Sequence, residues 1–186
     1  MKLLGTIICN DLSWEENTKH IVKKANGRMC LLRAVSSFNP PCSDLKLIYI
    51  QYIRSLLEQS CVLWHASLTN EDRDNIERVQ KNALRTILKQ SYISYENALN
   101  ILDLESLEER RIKLSLNFAK KCEKNPRFKD LFKKKDKIHE MKLRQTETIS
   151  INHCNTERYY NSAVPFMQRQ LNQYYREKEE GNSNQE

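Results

Sequence analysis

Apolar residues recur every three or four positions over most of this chain, and that spacing places them on one face of an α-helix. The first such segment continues to about Leu32, with lysines on its opposite side. Ser13 and Glu16 match a capping box, in which the serine oxygen and the glutamate satisfy backbone amides at a helix start. The pattern predicts a long first helix whose apolar stripe contains Val22, Ala25, Met29 and Leu32.

Further helices are predicted from the same spacing, next to residues that are typical of helix ends. Asn39-Pro40-Pro41 ends the first helix, since a residue before proline avoids helical angles, and Ser43 is placed to cap the second. A short helix is predicted over 95–102, and Asn125-Pro126 stops the one after it. The later capping pairs are Thr69 with Asp72 and Ser106 with Glu109. The later apolar stripes contain Leu45, Ile48, Tyr49, Tyr52, Ile53, Leu56 and Leu57, then Ile76, Val79, Ala83 and Ile87, then Ile112, Leu116, Ala119 and Cys122.

The N-terminus has a different pattern, because Leu4 to Ile8 is an apolar, β-branched run that suits a strand. No second convincing strand follows nearby, and an unpaired apolar edge is unfavourable. We favour the interpretation that the chain is the tail of a longer protein that holds the partner strand. The alternatives are a hairpin with residues around Leu12, or packing of the strand on the helices.

Glycine and proline are scarce, at 3 and 4 of 186 residues, which argues against a turn-rich β protein. The predicted fold is mainly α, an irregular helical bundle with a short N-terminal β-hairpin or strand and an extended C-terminal tail. Three parts are expected: a strand and two-helix unit over 1–66, a helical region over 67–132, and a basic linker, extended segment and terminal helix over 133–186. The polar residues Glu177 to Glu186 predict a frayed end.

The net charge of +7 indicates an anionic partner. Between Arg110 and Arg144, fourteen lysines and arginines face four acidic residues, so this segment carries +10 and the rest of the chain −3. Such a segment binds phosphates by releasing counterions, without reading sequence. The alternative is a solvated linker, because charge runs often do nothing more. The predicted contact residues are Lys19, Lys23, Lys24, Arg28 and Arg33 on the first helix and Arg110, Arg111, Lys120, Lys121, Lys133, Lys134 and Lys135 in the basic segment.

Catalytic chemistry is poorly represented. Two-metal polymerisation needs paired carboxylates, and the chain has no Asp-Asp pair. His153-Cys154 is the nearest approach to a zinc ligand pair, and no second pair stands at ligand spacing.

The six cysteines form no Cys-x-x-Cys pair and no signal peptide precedes them, so reduced thiols in an intracellular location, cytoplasmic or nuclear, are expected. No apolar run is long enough to span a membrane.

Several short segments resemble, in order, the region that follows the polymerase palm in non-LTR (LINE-type) retrotransposon reverse transcriptases. The resembling segments are Leu4-Gly5, Asp11-Leu12-Ser13-Trp14, Ile21-Val22-Lys23-Lys24-Ala25 with Arg28, Ile53-Arg54-Ser55 with Cys61 and Trp64, Glu77-Arg78-Val79-Gln80-Lys81, Asn125-Pro126-Arg127-Phe128, and Arg158-Tyr159 with Ser162 and Pro165. A segment found near the N-terminus of alkylated-DNA-repair proteins is similar to part of the same region.

The resemblance implies a thumb-like hairpin and helices over 1–66, in a C-terminal fragment or remnant of an RNA-directed DNA polymerase. Such a fragment is non-catalytic alone and binds no cofactor, because the catalytic Mg²⁺ belongs to a palm domain absent from this sequence. It implies RNA or DNA backbone as the partner of the basic helix faces. The alternative, from the second resemblance, is a helical protein-interaction or structural module with no nucleic-acid role.

Overall fold

The computed structural model describes residues 1–134, 148–151 and 153–183, and it confirms a mainly α fold with an N-terminal hairpin. The strands are β1 (Lys2–Leu3) and β2 (Thr6–Ile7), and the helices are α1 (Glu15–Ser36), α2 (Cys42–Ile48), α3 (Ser55–Leu57), α4 (Cys61–Trp64), α5 (Asn70–Leu88), α6 (Tyr95–Leu102), α7 (Leu107–Lys124), α8 (Glu157–Tyr160) and α9 (Ala163–Ser183). A π-helical segment, Tyr49–Arg54, joins α2 to α3. Single 3-10 segments cover His65–Ser67, Lys89–Ser91 and Pro126–Leu131.

The N-terminal hairpin pairs β1 with β2 antiparallel, with Leu3 opposite Thr6. Leu4 and Gly5 form the two-residue turn, and both have left-handed angles, with φ of 46° and 86°. That geometry matches the right-handed twist of a hairpin. The prediction of an unpaired strand over Leu4–Ile8 is therefore wrong. Its partner is the segment just before it, so a missing partner strand no longer supports the interpretation that the chain is a tail.

Leu4→Asn is expected to stabilise the protein by about 1 kcal/mol, because a left-handed conformation costs leucine roughly that much and asparagine far less. The leucine side chain is 88% exposed, so little packing is lost. Urea unfolding of the two proteins checks the expectation. Leu3→Asn is the matched control and should not stabilise, since position 3 is a strand residue. Equal midpoints for Leu4→Asn and wild type would contradict the assigned turn.

Two predicted helix caps are absent and two are present. The residue before α1 is Trp14, and no side chain caps the helix, so the Ser13–Glu16 capping box is wrong. Ser43 lies inside α2 and donates to Asp44. In contrast, Thr69 Oγ1 accepts from the Asp72 amide at 3.1 Å, and Ser106 and Glu109 form a capping box with both bonds at 3.2 Å. The predicted caps hold at α5 and α7, where the helices begin at the expected residues.

The larger hydrophobic core joins α1, the helical stretch 42–57, α4, α5 and α6, and reaches the first residue of α7. The predicted stripes are largely confirmed, although Val22 and Ile48 are only partly buried and Tyr52 is 42% exposed. Trp64 is fully buried here, and its indole nitrogen donates to the carbonyl of Gln59 at 3.0 Å. The core draws residues from both sides of the expected boundary at 66/67, and the three-part division stays a prediction.

A smaller core lies where the end of α7 packs against α9. Ile149 is buried in it and is held by Asn172, whose side chain accepts from the Ile149 amide at 2.7 Å and donates to its carbonyl at 3.0 Å. The helix α9 continues to Ser183, past Glu177, where fraying is expected. Within the described ranges, each helix is too short or too polar to cross a lipid bilayer.

The buried face of α7 differs from the predicted one. Its fully buried positions include Arg111 and Ser115, whereas Ile112 and Leu116 are only partly buried. Ala119 and Cys122 are buried as expected. The inward face is rotated toward Arg111 because α7 packs against both α4 and α9, and the polar His65 follows α4 at that contact. This rotation places a predicted contact residue in the protein interior.

Candidate nucleic-acid interface

The cations predicted on α1 are mostly exposed but differ in their partners. Lys19 forms ion pairs with Glu15 at 2.6 Å and with Glu16 at 3.8 Å, and the hydrogen bond to Glu15 raises the pKa of the lysine. Lys23, Lys24 and Arg33 are exposed and form no ion pair with any residue that the structure describes. Lys19 is therefore neutralised locally, while the other three can contact an external anion.

The hairpin adds a lysine to this surface. Nζ of Lys2 lies 3.5 Å from Nε2 of His20, on the face of α1 that carries Lys23 and Lys24. Burial lowers the pKa of His20, and the positive charges of the three lysines lower it further. We call Lys2, His20, Lys23 and Lys24 the helix-face patch. Sequence reasoning missed Lys2 because its approach depends on the hairpin turn.

Arg28 is held against the neighbouring π-helical segment. Its guanidinium stacks over the ring of Tyr52, 4.3 Å from the centroid, and donates to the Tyr52 carbonyl. Tyr52 belongs to the π-helical segment. Arg28 therefore links α1 to that segment, with only part of its surface accessible to a ligand.

Arg110 and Arg111 do not lie on an open basic surface. Arg110 donates through Nε and Nη2 to both carboxylate oxygens of Glu58. Arg111 is fully buried, its Nε donates to Nδ1 of His65 at 3.3 Å, and its guanidinium lies 5.9 Å from the Trp64 ring centroid. Phosphate contact requires an exposed guanidinium, so the structure contradicts the expectation that Arg111 can make one. The sequence around Arg110 and Arg111 gives no indication that one of these two arginines faces inward.

The remaining cations of the basic segment converge at the end of α7. Between Lys120 and Lys134, seven lysines and arginines face only Glu123 and Asp130, a difference of +5. Lys121, Lys124, Arg127 and Lys129 are exposed and form no ion pair with a described residue. Lys133 pairs with Asp130 and Lys134 with Glu123, each at 3.3 Å, and Lys120 lies over the ring of Tyr174. We call residues 120–134 the C-terminal basic surface. Lys135 lies outside the described residues.

A cleft of about 890 Å³ separates the start of α1, the start of α5 and α8. Its lining includes three cations, Lys19, Lys23 and Arg158, and four carboxylates, Glu15, Glu71, Asp72 and Glu157. These charges sum to −1, so the cleft as a whole does not attract a polyanion. Thr18 lines the cleft and is buried, and its hydroxyl has no hydrogen-bond partner among the described residues.

In the segment Glu77–Lys81, which carries part of the family resemblance, Glu77 and Gln80 bond to neighbouring helices while Arg78 is exposed. Oε1 of Glu77 accepts from the Tyr95 hydroxyl and from the Leu107 amide, the latter at 3.1 Å. Gln80 accepts from Tyr49 and donates to the Tyr95 hydroxyl at 2.8 Å. The mixed charges around Glu77 are typical of a solvated face, but this side chain is only partly exposed and its carboxylate joins α5, α6 and α7.

Metal and thiol chemistry find little support in the described part of the chain. No group of three or more His, Cys, Asp or Glu side chains could hold a metal ion there. Cys61 is buried, and burial raises the pKa of its thiol to about 11, which keeps it protonated and unreactive near pH 7. Cys30 and Cys42 are free and exposed, and neither belongs to a candidate metal site among the described residues.

No protein-family model, curated protein or solved structure matches this chain. The resemblance to non-LTR reverse transcriptases therefore stays a prediction, which rests on the short segments and their order alone.

Proposed function

We propose that this chain is a non-catalytic region of a non-LTR retrotransposon reverse transcriptase that binds RNA or DNA backbones without reading their sequence. The observation that carries the proposal is the C-terminal basic surface, where a charge of +5 is concentrated at the end of one helix. Four of its cations have no ion pair within the described residues, so a phosphate can bind them without breaking an ion pair among those residues.

The physics of such binding is electrostatic. Each lysine or arginine that neutralises a phosphate releases condensed counterions, so affinity falls as salt rises. Contacts of this kind fix position on a strand and carry no base information. The helix-face patch supplies a second cluster, in which Lys2, Lys23 and Lys24 lie near a histidine whose pKa is lowered by burial and by their charges.

The proposal assigns no catalytic step to this chain. The two-metal chemistry of a polymerase needs carboxylates that hold both cations. Glu71 and Asp72 are adjacent acidic residues in the first turn of α5. There the Asp72 carboxylate accepts a hydrogen bond from Thr69, the residue that caps the helix. In the proposed full protein, Mg²⁺ and its ligands belong to a palm domain outside this sequence.

Fluorescence anisotropy with labelled RNA and DNA of mixed sequence, in single-stranded and duplex forms, tests the proposal. We expect affinity to fall by at least about tenfold between roughly 50 and 200 mM salt, and to be similar for unrelated sequences. Polyglutamate serves as the control for a general acidic partner and should compete only weakly. No binding at low salt, or equal competition by polyglutamate, would remove the nucleic-acid role.

The alternative is a protein-interaction module, and the charge-balanced cleft is the observation that favours it. Its lining combines both charge signs with Trp14 and several side-chain amides. Such a surface suits a polypeptide better than a phosphate polymer. Absence of nucleic-acid binding in the titration would favour this alternative.

A further inference from the structure

A concave pocket of about 650 Å³ lies within the C-terminal basic surface, between the end of α7, the residues that follow it and α9. Four lysines line it: Lys124, Lys129, Lys133 and Lys134. Glu123 and Asp130 are the acidic residues of the lining, so its formal charge is +2. The pocket is large enough for a nucleotide unit and carries the sign of charge that a phosphate requires.

Both carboxylates of the pocket already have partners within the chain. The Glu123 side chain is only 10% exposed, accepts from the Tyr175 hydroxyl at 2.5 Å and pairs with Lys134 at 3.3 Å. Asp130 pairs with Lys133. The local repulsion of an incoming phosphate is therefore reduced, and two lysines, at 124 and 129, have no ion pair with a described residue.

One wall of the pocket is aromatic. Tyr175 lines it, and the ring of Tyr174 lies 5.7 Å away, centroid to centroid, in a tilted arrangement. Lys120 lies 3.3 Å from the Tyr174 centroid and Lys134 lies 6.0 Å from the Tyr175 centroid, so a lysine accompanies each ring. Proteins that hold single strands combine a positive groove with aromatic side chains on which bases stack.

We propose that this pocket binds one nucleotide of a single strand, the lysines contacting its phosphate and the Tyr175 ring contacting its base. The inference rests on the proposed function and names the form of nucleic acid that the C-terminal basic surface selects. In a duplex the base faces are covered by their neighbours, so the ring contributes nothing unless a base leaves the stack. The surface therefore prefers single strands to duplex.

The test compares one mixed-sequence oligonucleotide, free of self-pairing, with the duplex that it forms with its complement, at equal salt. Wild-type protein should bind the single strand about tenfold more tightly, as base stacking on one ring allows. Tyr175→Leu should remove most of that preference and leave the salt dependence unchanged. Tyr175→Phe is the matched control: it keeps the ring, loses the bond to Glu123 and should keep the preference.

Equal affinity of the wild-type protein for the two forms would overturn the inference and leave the proposed function intact, and this comparison needs no variant. Full preference in Tyr175→Leu would also overturn it, because the ring would then have no part in selection. Absence of binding to either form at low salt would overturn both proposals together.

Discussion

Replacing Glu77 with alanine should lower the free energy of unfolding by about 2–4 kcal/mol, because each part-buried donor that loses its acceptor costs about 1–3 kcal/mol. The change leaves the Tyr95 hydroxyl and the Leu107 amide without their acceptor. It also removes a carboxylate from the start of α7, where negative charge favours the helix dipole. Urea unfolding measures the loss, and Asp74→Ala, an exposed acidic position on the same helix, should cost less than about 1 kcal/mol.

The same residue is coupled to Arg111. Burial lowers the pKa of this arginine, and the Glu77 carboxylate opposes that effect most strongly among the charged groups. Oε2 of Glu77 and both terminal nitrogens of Arg111 are buried without partners among the described residues. In an Arg111→Met background, Glu77→Ala should therefore cost at least about 1 kcal/mol less than in wild type. Additive losses would contradict the coupling.

Acid should unfold this protein partly through His65. Burial lowers the pKa of His65 to about 3, and the charges of Arg111 and Arg73 act in the same direction. The unfolded chain, with a histidine pKa near 6.5, then binds more protons than the folded one. This stabilisation is complete above pH 6.5 and is lost as the pH falls toward 3, by about 4 kcal/mol in total.

His65→Asn isolates this effect, since the asparagine oxygen can still accept from Arg111 and does not titrate. The difference in unfolding free energy between wild type and His65→Asn should shrink steadily as the pH falls from 6.5 to 3, measured by urea unfolding at each pH. His153→Asn, at an exposed position, should follow the wild-type curve. A difference that does not change with pH would exclude protonation of His65 as the cause.

Helix positions could be predicted from sequence because burial of an apolar stripe and satisfaction of amides at helix starts are local requirements. α6 lies at the predicted 95–102, and Ser106 with Glu109 begins α7 as expected. The pairing within the N-terminal hairpin was predicted wrongly because β1 is only two residues long and its turn places a leucine at a left-handed position, which sequence preference disfavours.

Whether a charged side chain points inward or outward was harder to predict from sequence than the positions of the helices. Arg111 and Glu77 stand in charge-rich runs that are typical of solvated faces, yet the contacts of α7 with α4 and of α5 with α6 turn them inward. Conversely, Lys121 and Lys124 also stand in a charge-rich run, and they are exposed, as such a run suggests. Packing between elements distant in the chain decides which cations remain free, and periodicity within one helix does not contain that information.

The salt dependence of binding by a variant of the C-terminal basic surface tests the account most directly. Lys121→Gln with Lys124→Gln removes two exposed charges, and Arg78→Gln with Arg85→Gln removes two exposed charges from α5 as a matched control. We expect the first variant to bind RNA more weakly, with a slope of log affinity against log salt that is smaller in magnitude by about 2 than that of the wild type. The control variant should keep the wild-type slope. If both variants kept the wild-type affinity and slope, the C-terminal basic surface would not be where nucleic acid binds.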